Sequence, residues 1–205
     1  MNMLGAHEVL DLHEVLSESI CAINTMQLYR PYVQDQQLQQ LMNRHMQAMI
    51  ADYNNLVQTA HQLGGTQAVP ARAHKYMANP NVSFQPMYGL RNPQTQTPAA
   101  GPDQIDDVDA VIALLNSHKT SAAMKMKATL EMAHPTLRQL MQTSANSCAD
   151  MAYECFQYAN SKGYYQVPTL KDTTTNTMIQ SYGTAPMASA QNGQMQQQHT
   201  GNYYM

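Results

Sequence analysis

The chain has 205 residues, a net charge of −3 and only 12% charged residues, so uncharged amides cover much of its polar surface. That length suits one domain with connecting segments. No run of Lys or Arg exceeds a single residue, which excludes the electrostatic footprint of a nucleic-acid binder and a polybasic membrane patch.

At the N-terminus, Glu8, Asp11 and Glu14 interrupt what would have to be an apolar region, and no later segment approaches about eighteen apolar residues. Neither a signal peptide nor a transmembrane segment is expected. The first predicted helix spans about 6–29, with Val9, Leu12, Leu16, Ile20, Ile23 and Met26 at three- and four-residue steps until Pro31 forbids continuation. A second, about 34–63, places Met42, Met46, Met49, Tyr53, Leu56, Ala60 and Leu63 on a 4-3 spacing and stops at Gly64-Gly65. The short connection makes the two antiparallel neighbours.

Residues 64–103 carry Pro70, Pro80, Pro86, Pro93, Pro98 and Pro102 and no sustained periodicity, which reads as a long crossover. The third helix, about 104–133, opens with Asp103, Asp106 and Asp107 where carboxylates favour the positive helix end, and its apolar stripe is Ile105, Val108, Ile112, Leu115, Ala122 and Met126. Pro135 starts the fourth, about 135–162, whose stripe runs Leu137, Met141, Ser144, Cys148, Met151, Cys155 and Tyr158, with Gly163 as its cap. From 171 to 205 the chain is rich in Thr, Gln and Gly and poor in branched apolar residues, so a flexible tail is expected. Two antiparallel hairpins joined by one long crossover is an all-α, ferritin-like four-helix bundle over about 5–170.

Bundles of that topology hold two metal ions with a Glu from each of two helices and a Glu-x-x-His from each of the others. Helix one offers His7, Glu8, His13, Glu14 and Glu18, whereas helix two has His45 and Asp52 but no Glu. The match Glu131-Met132-Ala133-His134 stands at a helix end against Pro135, and Asp150 and Glu154 have no His at the required step. No metal, cofactor or catalytic residue is therefore assigned. His13, His45 and His118 flank the stripes as hydrogen-bonded core or rim histidines, and the Met stripes are adaptable core filling. No Gly-rich phosphate loop, CxxC or GxSxG is present, so no small-molecule substrate is identified. Cys21, Cys148 and Cys155 are no disulfide framework: Cys148 and Cys155, seven apart, sit on one helical face about 10 Å apart.

The stretches LHEVL at 12–16, INTMQLYRPYVQDQQLQQLM at 23–42, YNNLVQ at 53–58 and SANSCADMAYECFQYANSKGYYQVPTL at 144–170 resemble the spore coat F family of endospore-forming bacteria. The ending GYYQVPTL carries most of the likeness. The resemblance implies a structural component of the spore coat, made in the mother-cell cytoplasm and deposited on the forespore, with other coat proteins or a second copy as partners. The competing readings are a ferritin-like metal or redox protein and a non-enzymatic adaptor whose Met-rich faces take another protein's helix.

Overall fold

The structure, a computed structural model, describes residues 4–64, 81–93, 95 and 97–185. Among them are five α-helices: α1 Ala6–Tyr29, α2 Gln36–Leu63, α3 Asp107–Glu131, α4 Pro135–Ser161 and α5 Asp172–Gln180. The chain divides after Pro168 into two compact units, so α5 is a separate element from the bundle formed by α1 to α4.

Carboxylates at both ends set the course of the four long helices. Asp35 caps α2 by accepting from the Gln37 and Leu38 N–H groups at 2.7 and 3.2 Å, and takes the Lys162 ammonium beyond α4 at 2.7 Å on its other oxygen. Asp107, in the first turn of α3, accepts from the N–H groups of Gln34 at 2.8 Å and Asp35 at 3.2 Å. The start of α2, the start of α3 and the end of α4 therefore lie at one end of the bundle. At the other end, Glu8 accepts from the backbone N–H of Gly5 (2.7 Å), Ala133 (3.0 Å) and His134 (2.7 Å), joining the start of α1 to the α3–α4 turn. It follows that α2 runs parallel to α3 and α1 parallel to α4. The closely packed pairs α1–α2, α1–α3, α2–α4 and α3–α4 are all antiparallel, and the parallel pairs lie across the bundle.

The crossover connects opposite ends of the bundle, and its described residues are held by side-chain amides of α4 and its extension. Gln157 accepts from Asn81 N–H and donates to Asn81 C=O, both at 3.1 Å. Asn160 does the same for Met87 at 2.8 and 3.1 Å, and Gln166 for Arg91 at 2.6 and 3.4 Å. Each amide supplies the donor and acceptor that a neighbouring strand would, and so satisfies backbone groups at Asn81, Met87 and Arg91 that lie outside any helix. Gly163, at φ +77°, ends α4 in the left-handed region, and the N–H groups of Tyr164 and Tyr165 turn back to Ala159 C=O at 2.8 and 3.1 Å. Tyr165 then meets Phe156 edge-on, and Phe156 meets Phe84 of the crossover in the same way. The GYYQ ending is thus the seam between bundle and crossover.

The buried faces differ from the apolar pattern on three helices. On α1 the buried line is Glu8, Leu12, Val15, Ser19, Ala22 and Met26, and Val9 and Ile20 are about half exposed at 49% and 46%. On α3 it is Ala110, Val111, Leu114, Leu115, His118, Ser121, Lys125, Ala128 and Thr129, while Met126 is exposed. On α2, Met46, Tyr53 and Ala60 are only partly buried, and His45, Asp52, Asn55 and Thr59 lie inside. The cause is common to all three: polar side chains occupy the inward face, and apolar periodicity assigns them outward. All seven positions read for α4 are buried.

Two further differences concern helix ends. α3 starts at Asp107 and not at 104 because Pro102–Gln104 forms a 3-10 turn and Asp106 caps the helix through Val108 N–H at 2.8 Å. The segment from 171, expected to be flexible, opens with α5, in which Asp172 stands in the positive first turn and Thr177 Oγ1 donates to Thr173 C=O at 2.8 Å. Residues 186–205, which include Gln194, Gln196 to Gln198, Tyr203 and Tyr204, lie outside the described residues.

Burial pushes the Glu8 carboxyl up, but its three backbone donors outweigh that and hold it below the usual glutamate value of 4.5. Its contribution to stability is therefore complete above that pH and is lost as pH falls through the folded value. Glu8→Ala should cost about 2–3 kcal/mol at neutral pH, and its melting temperature should fall less than the wild type's between pH 5 and 3. Parallel pH dependences for the two proteins in thermal melts would contradict this role.

Candidate functional site

The interior of the bundle contains two layers of polar side chains. Each takes one residue from α2, α3 and α4, and because α4 runs against the other two, its numbers descend as theirs ascend. His45, His118 and Cys155 form one layer; Asp52, Lys125 and Cys148 form the other. On each helix the two members are seven residues apart, which is two turns or about 10 Å along the bundle.

In the first layer, Glu154 Oε2 receives the Arg44 guanidinium at 3.0 Å and His45 Nε2 at 3.1 Å. A carboxylate only accepts, so His45 carries its proton on Nε2 and presents the lone pair of Nδ1. That atom is 3.0 Å from His118 Nε2, which makes His118 the donor, and 3.8 Å from Cys155 Sγ. Both histidines and Cys155 are wholly buried, and Glu154 is nearly so. Burial lowers both histidines, with Glu154 partly opposing this at His45 and the charge of Lys125 adding to it at His118; both rings are neutral at physiological pH. Burial also raises the Cys155 thiol well above its usual range. A protonated thiol in an apolar interior is the opposite of an activated nucleophile, so the approach of Cys155 to His45 does not make a catalytic dyad.

The second layer centres on Lys125, 2% exposed. Its Nζ lies 3.5 Å from Asp52 Oδ2 and 3.4 Å from Cys148 Sγ, and Ser144 Oγ donates to the same Asp52 oxygen. Burial alone would pull the ammonium down, but Cys148 and Asp52 hold it up; burial keeps the Cys148 thiol protonated. Nearby, Ser121 Oγ donates to Glu18 at 2.6 Å. The buried ion pair is thus supported by Cys148 on the lysine side and Ser144 on the aspartate side.

Of the residues considered for a dinuclear metal centre, His45 and Glu154 meet at 3.1 Å, but the others are not gathered around them. Glu8 is engaged with three backbone N–H groups, His7, His13 and Glu14 are exposed, and Asp150 and Glu131 face outward. α3 ends at Glu131 and Met132 is extended, so Glu131 and His134 share no helical face. The three cysteines are free, with Cys21 exposed. The cluster that does form escaped the sequence reading because it has no local motif. Its only trace in the sequence is the shared seven-residue spacing of His45 and Asp52, His118 and Lys125, and Cys148 and Cys155.

Comparison with known proteins adds an independent finding. Residues 106–168 match the Coat F domain, from the Asp106 cap of α3 through α4 to the end of the GYYQVP seam. The chain is 30% identical over 195 residues to the spore coat protein F-like protein YhcQ of Bacillus subtilis (strain 168), covering 94% of this chain and 88% of that one. No solved structure matches.

If Lys125 and Asp52 balance each other, Lys125→Met should cost about 3–5 kcal/mol by leaving a buried carboxylate without its cation. Adding Asp52→Leu should recover much of that loss in denaturant melts. A double variant no more stable than Lys125→Met would show that the two charges are not coupled.

Proposed function

Because this chain belongs to the spore coat F family, we propose that it is a structural component of the endospore coat that acts by assembly and not by catalysis. The observation that carries this reading is the likeness to a Bacillus spore coat F-like protein along nearly the whole chain. The interior agrees with it: the cysteines beside His45 and Lys125 are protonated and enclosed, which suits a rigid body and not a reaction centre. In fold, the parallel diagonals and the single long crossover support a ferritin-like four-helix bundle without the dinuclear carboxylate site.

Its partners are other coat proteins or further copies of itself, and its place is the coat, reached from the mother-cell cytoplasm. Two properties support assembly. A chain with only 12% charged residues has few charges with which its surface can resist association, and the segment after Pro168 is a unit separate from the bundle that carries Gln, Tyr and Lys side chains, the groups of isopeptide and dityrosine cross-links. No helix among the described residues is long and apolar enough to cross a membrane.

Fractionated spores should contain the chain in the coat extract, with none in vegetative cells; an equal abundance in vegetative cytoplasm would contradict a coat role. Spores that carry only residues 1–170 should release the protein more readily on boiling in detergent and reductant than spores with the full chain. Equal release would move the attachment site from the segment after Pro168 to the bundle or its crossover.

A further inference from the structure

We infer that His45, His118 and Cys155 form a buried binding site for a single soft metal ion, copper(I) in preference to zinc(II). The inference is independent of the coat assignment. It rests on four features of the same cluster.

The first is the donor set. Two imidazole nitrogens and a thiolate are the ligands of copper and zinc, whereas magnesium, calcium and manganese take oxygen. The second is spacing: the three ligand atoms lie within 4.8 Å of one another, with the closest approaches at 3.0 and 3.8 Å. Metal–nitrogen bonds of about 2.0–2.1 Å and a metal–sulfur bond of about 2.3 Å give ligand separations of about 3.3–3.8 Å. Shifts of roughly half an ångström in these side chains would admit the ion.

The third feature is the support behind the ligands. The Glu154 carboxylate holds the Nε2 proton of His45 and so fixes the tautomer whose Nδ1 lone pair faces the other two donors. His118 Nδ1 is buried with no hydrogen-bond partner among the described residues, so nothing holds its ring to one tautomer from behind. On binding, the proton between the two rings moves to that nitrogen, and the Cys155 thiol loses its proton to solvent as the metal–sulfur bond forms. One proton is released per ion.

The fourth feature is charge. Among the described residues Arg44 answers Glu154 at 3.0 Å, and metal binding adds one negative charge, the Cys155 thiolate. A monovalent ion offsets that added charge, and a divalent ion adds a net positive charge to a wholly buried place, which is costly. The ligands come from three helices, so a bound ion would tie α2, α3 and α4 together at one level.

The test uses the full chain, expressed in medium supplemented with copper or zinc, with metal content measured after gel filtration. Copper(I) affinity is measured anaerobically by chelator competition, and cobalt(II) serves as a spectroscopic probe of the thiolate. About one copper per chain is expected. Cys155→Ser should weaken binding by about 100-fold or more, and Glu154→Gln by about 10- to 100-fold. Should Cys155→Ser fail to fold, the double variant Cys21→Ser/Cys148→Ser decides the question, because Cys155 is then the sole thiol and the thiolate–cobalt charge-transfer band should persist. Loss of that band in a folded double variant, or substoichiometric copper and zinc in the wild type, would overturn the site. Tighter retention of zinc than of copper(I) would overturn the choice of ion.

Discussion

The bundle depends on one constraint: polar groups carried into its interior must satisfy one another there. An unpaired buried charge or hydrogen-bonding group costs several kcal/mol, comparable to much of a small domain's net stability. Lys125 and Asp52 cannot be separated from each other, nor His45 from Glu154, without that penalty. Since each layer draws on α2, α3 and α4, the penalty applies to the relative positions of all three helices at once. A Met- and Leu-rich interior would tolerate a slide or rotation, because flexible apolar side chains repack cheaply. Two polar layers seven residues apart remove that freedom. Any shift that kept one layer paired would have to move by whole helical repeats, and the end contacts forbid it.

Those end contacts obey the same rule with backbone groups in place of side chains. A helix terminus leaves N–H groups without partners, and here the acceptors come from across the fold as well as from the helix itself. Glu8 of α1 supplies the acceptor for the first N–H groups of the α3–α4 turn, where His134 offers no side-chain cap of its own. Asp107 of α3 does so for the approach to α2. The paired amides of Gln157, Asn160 and Gln166 extend this to the described part of the crossover, whose prolines offer no N–H. The chain's amide-rich, charge-poor composition is therefore only partly a surface property: several amides are structural clamps.

What could be read from the sequence divides along the same line. Breakers such as Pro31, Gly64 and Gly163 placed the ends of long helices, since proline and glycine act locally. α4 was legible residue by residue because its inward line of Leu137, Met141, Cys148, Met151 and Cys155 is mostly apolar. α3 was misread by a rotation, because His118, Ser121 and Lys125 face inward and their partners lie on other helices. No local pattern reveals that a lysine is buried; its carboxylate stands 73 positions away in sequence, at Asp52. The cluster of His45, His118 and Cys155 was hidden for the same reason. α5 was missed because its stabilisation is local hydrogen bonding and not apolar burial.

A coat protein has to persist in a layered, largely insoluble material, and this suits a body whose interior resists alternative packings. Stability alone does not demand buried ions, since replacing a buried ion pair with apolar residues often gives a more stable protein. What buried polar layers supply is a high cost for near-native rearrangements, including the exchange of helices between neighbouring copies, which crowding in a coat would otherwise favour. A single hairpin of α3 and α4, the region matched by the Coat F domain, carries Lys125, Cys148, His118 and Cys155, but Asp52, His45 and the Arg44 that answers Glu154 lie on α2. The hairpin alone would lack both the carboxylate that answers Lys125 and the helices that enclose it. The α1–α2 half is therefore required to complete the interior of the half that matches the Coat F domain, and the two are best understood as one cooperative unit.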